Sequence, residues 1–265
     1  MYRCYKLTYD SELQSLIDDY ADLGEQIMIQ KKESIKKELE SYVNSDGMID
    51  FTSIQNDWFP TIEADIFISH SHRDINIINA LAGWLHKNFK VDVFIDSYIW
   101  GYCDELLKEL DNKYCRHTNG TSYDYDKRNF STTHVHLMLS NALNKMIDKT
   151  ECIIFLESDN SLSLKTDIEV GTSSAWIYSE ILATKLISET TPDRFKTNEK
   201  EIRAHFSLNE STMKPLYRIN KDDFQHLIPL DPDVLKSISD KKLSGEKPYL
   251  TELYRTVKKV EILNG

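Results

Sequence analysis

The stretch Ala64-Asp65-Ile66-Phe67-Ile68-Ser69-His70-Ser71-His72-Arg73-Asp74 decides the fold. Its first half is a short apolar run of Ile and Phe, and it breaks off into small polar residues. That is how a buried strand meets the loop at its carboxyl end. Asp74 then opens a helix, because Ile75, Ile78, Leu81, Ala82, Leu85 and Phe89 recur on one face at helical spacing. A second strand follows over Val91-Asp92-Val93-Phe94-Ile95, and a third over Glu151 to Leu156. Short apolar strands alternating with amphipathic helices predict an α/β fold: a flavodoxin-like open parallel sheet with helices on both faces.

Working outward, Asp96 to Cys103 reads as a loop containing Tyr98, Trp100 and Gly101, with helix signals after it at Leu106, Leu107 and Leu110. Residues 112–133 are rich in Asn, Ser, Thr, Asp and Tyr and read as a long loop, followed by a helix from His134 to Ile147. Ser173 or Ser174 caps a helix bearing Trp176, Ile177, Glu180, Ile181 and Leu182. Leu216 to Ile219 and His226 to Leu230 read as the last short strands, and Lys247 to Ile262 as a terminal helix or strand-helix. Residues 1–60 read as an N-terminal helical extension ahead of a main domain over 61–265. Ser11 and Gln14 can form a capping box before Leu13, Leu16, Ile17, Tyr20, Leu23 and Ile27. A second helical stretch carries Ile35, Leu39, Tyr42 and Val43 and stops at Asp46-Gly47. The simplest role for this segment is a cap packed on the main domain; the alternative is an oligomerisation element.

The 265 residues carry a formal net charge of −11, so the chain's own field repels phosphate. Neither nucleic acid nor an anionic membrane is an expected partner. No apolar run approaches the ~20 residues that cross a bilayer, and MYRCYKLTYDSEL has no apolar signal core, so a cytoplasmic chain is expected. Cys4, Cys103, Cys115 and Cys152 are scattered, without C-x-x-C, and are expected as free thiols. No glycines form G-x-G-x-x-G or a P-loop, and there is no G-x-S-x-G elbow. His70-x-His72, His134-x-His136 and Cys115-x-His117 lack a second half at zinc spacing, so these residues are read as hydrogen-bonded or solvated, with no metal expected.

Ligands of open parallel sheets bind outside the carboxyl ends of the strands. Those ends are Ser69 to Asp74, Asp96 to Gly101, and Glu157-Ser158-Asp159. Trp176 and Glu180 lie four residues apart and so share a helix face. An aromatic ring and a carboxylate near polar strand ends suit a sugar. Ile181, Leu182 and Ala183 flank Glu180 with apolar surface, which favours a partly buried carboxylate.

These same residues resemble the signatures of Toll/interleukin-1 receptor (TIR) domains over residues 62–190. Ala64 to Asp74 is similar to the family's first strand and charged helix start, with His70 in place of the usual Tyr. Val91 to Gly101 resembles the second strand and its loop. Ser174-Ala175-Trp176-Ile177-Tyr178-Ser179-Glu180-Ile181 is similar to the third-helix signature, Ser-x-Trp-x-x-x-Glu. Residues 1–60 and 112–133 depart from the family pattern. The resemblance implies that Glu180 is the catalytic residue for cleaving the nicotinamide–ribose bond of NAD. Ser69, His70, Asp96, Trp100 and Trp176 would line the NAD pocket. NAD is then a substrate, and no cofactor is implied. A chain of this layout resembles bacterial immune TIR proteins such as those of the Thoeris anti-phage systems. By that likeness it would self-associate through TIR surfaces and respond to a phage-derived trigger. It would make ADP-ribose, or a cyclic or conjugated form read by a separate effector. Two other readings stay open: a non-catalytic TIR assembly module, and a nucleoside deoxyribosyltransferase-like enzyme.

Overall fold

Strand β2 (Ile66–Ser69) lies one place in from the edge of a five-stranded sheet whose pairings are all parallel. In the computed structural model the described residues are 1–32, 39–43, 45, 48–95, 97–118, 120, 122–161, 170–172, 174–195, 217–219, 223 and 226–263. The other strands of this sheet are β1 (Arg3–Thr8), β3 (Val93–Ile95), β4 (Cys152–Glu157) and β7 (Ile228–Leu230), in the order β3-β2-β4-β1-β7. Every residue of β2, β3 and β4 is buried, so both faces of these strands are covered. The fold is the α/β open parallel sheet that the alternating pattern predicts.

Strand β1 is the main departure from the sequence reading. Residues 3–8 are not part of a helical extension: they pair with β4 from Arg3↔Cys152 to Thr8↔Glu157, and with β7 from Tyr5↔Ile228 to Leu7↔Leu230. Within RCYKLT, Cys4, Tyr5 and Leu7 are buried in this pairing while Lys6 and Thr8 stay accessible. The helices after it are present. Helix α1 (Ser11–Ile17) is capped by Asp10, one residue before the predicted Ser11; its carboxylate accepts from the Glu12 and Leu13 N–H groups. Helix α2 (Ala21–Lys32) follows. Contacts gather the chain into two compact units, residues 1–27, 63–95 and 147–265 in the first and 28–62 and 96–146 in the second, rather than dividing it at residue 60.

In the first unit, α4 (Ile75–Phe89) crosses α2 where Gly24 meets Gly83. A Cβ on Gly24 would stand 1.8 Å from the Asn79 carbonyl oxygen, and one on Gly83 2.3 Å from that of Tyr20. Only hydrogen fits at either place. The unit is completed by the ribbon of β5 (Val170–Thr172) and β6 (Tyr217–Ile219), α7 (Ala175–Leu186), α8 (Pro232–Ser239) and α9 (Pro248–Leu263). At the amino ends of the strands, Arg194 grips Glu151 with two N–H groups, lies over the rings of Phe195 and Tyr254, and donates to Thr251 at 2.8 Å. Lys247 adds contacts to Asp65 at 2.6 Å and Glu151 at 3.4 Å. Burial opposes ionisation of Glu151, but the hydrogen bonds and charge of Arg194 and the charge of Lys247 outweigh it and hold the carboxyl below its ordinary value.

The second unit contains α3 (Phe51–Trp58), capped by Asp50, and α5 (Ser97–Leu110), which runs into a π-helical turn (Asp111–Cys115). Asp96 lies outside the described residues, but the predicted loop after it is helix from Ser97, with Cys103, Leu106 and Leu110 buried at helical spacing. Helix α6 (Tyr125–Lys149) starts nine residues earlier than predicted. Asp124 caps it through the Lys127 N–H, and buried Asp111 accepts from Ser131 Oγ at 2.6 Å and Arg128 Nε at 2.8 Å. His134 is packed against Phe51 and Phe130, at 5.0 and 4.3 Å between ring centres. Of the predicted second helical stretch, Leu39–Tyr42 forms a 3-10 turn and Val43 bridges Ile49, while Ile35, Asp46 and Gly47 lie outside the described residues.

Two outcomes follow. Gly24→Ala or Gly83→Ala lowers stability by more than about 2 kcal/mol in urea unfolding, because a methyl group is forced against a backbone carbonyl. Glu151→Gln costs about 2 kcal/mol at neutral pH. Because Glu151 is more acidic folded than unfolded, the benefit of its charge is complete above the ordinary value of 4.5. It fades as pH falls through the lower folded value, so the difference between wild type and variant shrinks in acid unfolding curves.

Candidate functional site

The chain leaves β2 for β3 on one side of the sheet, and leaves β4 for β7 on the other. The carboxyl ends of β2 and β4 therefore flank the point where the connections diverge, which is where open α/β sheets leave a crevice. Three buried carboxylates gather at this end. Asp74 is 1%, Glu157 8% and Glu180 2% exposed.

Helix α7 delivers Glu180. Ser174 caps the helix by accepting from the Ile177 N–H, as the sequence predicts, and Thr172 in turn accepts from the Ser174 N–H. The buried stripe of α7 is Ile177, Glu180, Ile181 and Thr184, so the carboxylate occupies a core position among apolar neighbours. A carboxylate there is expensive unless hydrogen-bonded. The hydroxyl of Ser69, 1% exposed at the end of β2, donates to Glu180 Oε2 at 2.6 Å. This contact joins the first and third sequence signatures. Trp176, one turn before Glu180, is half-buried. His70 is buried, with Nδ1 3.3 Å from the Ile68 carbonyl. A carbonyl only accepts, so in the neutral ring Nδ1 carries the proton and Nε2 the lone pair.

Of the six predicted site residues, Ser69 and Glu180 are in contact, while His70 and Trp176 sit beside them in sequence on the same strand end and helix. Asp96 and the side chain of Trp100 lie outside the described residues. The structure also brings in residues that the sequence reading did not select. Asp74 stands at the cap position of α4 but does not cap it; its carboxylate accepts from Ser158 Oγ at 2.5 Å and Asn160 Nδ2 at 2.6 Å. Ser161 donates to the Leu156 carbonyl and accepts from the Ser158 N–H. The loop after β4 is thus tied to the loop after β2. Glu157 accepts from Thr8 Oγ1 at 2.8 Å and pairs with Lys6 Nζ at 3.2 Å.

One turn beyond Glu180, Thr184 donates to the Ile181 carbonyl at 2.8 Å and lies 2.9 Å from His226 Nε2. With the hydroxyl hydrogen so committed, His226 Nε2 is the donor. Burial, and the charge of Lys185, hold this imidazole below its ordinary value. All four cysteines are free and buried, and burial pushes the thiols of Cys4 and Cys103 up to about 12. They stay protonated, which removes them as candidate nucleophiles. A surface depression of about 440 Å³ lined by Leu23, His86, Lys87, Lys90, Val91 and Asp92 lies at the start of β3, at the other end of the strands from Ser69, and is not this site. Among the described residues no helix is long and apolar enough to cross a membrane.

Comparison of the chain with protein-family models, with curated proteins and with solved structures returns no match. The site is accordingly read from its own chemistry. A carboxylate held in a dry setting at a sheet's carboxyl end can stabilise a developing cation, accept sugar hydroxyls, or take a proton.

Replacing Asp74 by Ala strands the Ser158 hydroxyl and Asn160 amide. The expected cost is about 1–3 kcal/mol in urea unfolding, with faster amide hydrogen exchange confined to the loop at 158–161.

Proposed function

We propose that this chain is a TIR-type enzyme that cleaves the nicotinamide–ribose bond of NAD, with Glu180 as the catalytic carboxylate. One observation carries the reading: a carboxylate at a core position of α7, 2% exposed, fastened by the Ser69 hydroxyl at the carboxyl end of a parallel sheet. The likeness of residues 64–74 and 174–181 to TIR signatures supports it, because the contact links those two stretches.

The chemistry suits the residues. Nicotinamide in NAD is a pyridinium, so the C1′–N bond breaks with its electron pair going to the ring nitrogen, and neutral nicotinamide leaves without a general acid. Positive charge develops on the ribose at C1′ and its ring oxygen. A nearby carboxylate stabilises that charge, most strongly where water is scarce. Water attacking C1′ then gives ADP-ribose and releases one proton; attack by a nucleophile within the same molecule gives a cyclic isomer. Ser69 keeps one oxygen of Glu180 occupied and so fixes the direction of the other. At 2% exposure the carboxylate admits no substrate until the groups covering it move, which suits an enzyme that waits for a trigger. In this reading the product is a signal in bacterial anti-phage defence, taken up by a separate effector protein.

Glu180→Gln preserves shape and leaves an oxygen for Ser69 to donate to. It is expected to lower NAD consumption by at least about 100-fold, with unfolding temperature nearly unchanged. Chromatography with mass detection of NAD, nicotinamide and linear and cyclic ADP-ribose, with and without lysate of infected cells, measures this. A variant as active as wild type removes the mechanism. Wild-type protein that consumes no NAD under any of these conditions leaves an assembly module.

A further inference from the structure

The strand register places a second polar group on the same sheet face as Ser69. Paired residues of neighbouring parallel strands share a face, as do residues two apart on one strand. Ser69 pairs with Phe155, Phe155 with Lys6, and Glu157 with Thr8. Ser69, Glu157, Thr8 and Lys6 therefore line one face at the carboxyl ends of β2, β4 and β1. Helix α7 covers that face, since Glu180 reaches Ser69. Glu157 lies one strand over and two residues further along than Ser69, about 8 Å away by strand spacing and rise. That is about the span of a ribosyl group.

The Lys6–Thr8–Glu157 group is costly to keep as mere structure. Glu157 is 8% exposed and loses hydration, while its partner Lys6 stays partly in water, and such a pair contributes little to stability. What it does supply is an acceptor for hydroxyls and a cation, side by side, in the place where such sheets bind ligands. The side chain of Lys6 remains 31% exposed, whereas that of Glu157 is 10% exposed, so the ammonium has an open side that Glu157 does not occupy.

We propose that Lys6, Thr8 and Glu157 form a phosphoribosyl subsite built by the N-terminal strand. Glu157 accepts hydrogen bonds from the ribose hydroxyls, Thr8 orients that carboxylate, and the open side of Lys6 meets the phosphate. A phosphate set directly on Glu157 would be repelled, so the sugar lies against the carboxylate and the phosphate beyond it, on the lysine. This inference takes its ligand class from the NAD-cleaving reading and adds the residues that hold the sugar phosphate.

The test is calorimetric binding of ADP-ribose and of adenosine to the full chain. Lys6→Met is expected to weaken ADP-ribose binding about tenfold or more and to leave adenosine binding unchanged, while Lys6→Arg keeps ADP-ribose binding within about twofold of wild type. Glu157→Gln is expected to weaken both ligands. Unfolding temperatures of all variants are measured alongside, and Lys6→Gln replaces Lys6→Met if the latter does not fold. Equal ADP-ribose affinity in wild type and Lys6→Met overturns the subsite, as does a wild type that binds no ADP-ribose, or a loss of the same size for adenosine. The outcome is separable from that of the catalytic reading. An inactive Glu180→Gln with an unaffected Lys6→Met removes the subsite alone. A fully active Glu180→Gln with a weakened Lys6→Met removes the role of Glu180 alone.

Discussion

Strand β1 is hydrogen-bonded on both sides, to β4 along six residue pairs and to β7 along three, and among the described residues β7 has no other neighbour in the sheet. Taking β1 out would open the far edge of β4 and leave β7 unpaired, exposing two rows of backbone donors and acceptors. Both covers of the sheet also depend on it. Tyr5 stacks parallel to Tyr254 of α9, while Cys4, on the face opposite to Tyr5 and shared with Lys6, looks toward Thr184 of α7. Six residues thus set the width of the sheet and help to attach its two helical layers.

The strands and helices with clean periodicity were legible in the residues. Ile66 to Ser69, Val93 to Ile95 and the buried run from Cys152 have the apolar density that only a doubly covered strand tolerates, and Ser174 sits where a cap must. Strand β1 escaped because its six residues alternate weakly and mix Arg and Lys with Cys, Tyr and Leu; its identity comes from a partner strand some 150 residues away. The start of α6 escaped for a different reason. Asn129, Ser131, Thr132 and Thr133 have poor helix propensity, and the helix there is held by the Asp124 cap and by Asp111 reaching Ser131 and Arg128. Of the candidate site, Glu180 and Ser69 were readable as types in a pattern, whereas their meeting is a fact of packing.

The carboxyl end of the sheet concentrates groups that folding alone would avoid. Asp74, Glu157 and Glu180 each lose hydration, and each recovers part of that loss through a hydroxyl: Ser158, Thr8 and Ser69 respectively. The amino end is built otherwise, with Glu151 and Asp65 matched by Arg194 and Lys247. Full cations close the end that only has to hold together. At the end read as the site, the named contacts to the carboxylates come from neutral donors and from Lys6.

The position of β1 also bears on how the protein is made. Its nearest partner strand lies about 150 residues later in the chain, and its other neighbour, β7, ends at Leu230. A ribosome makes this strand well before either partner, and the sheet cannot close around it until Leu230 has emerged. Parallel pairing over such separations forms slowly, so Tyr5 and Leu7, buried in the finished sheet, stay uncovered until that late stage.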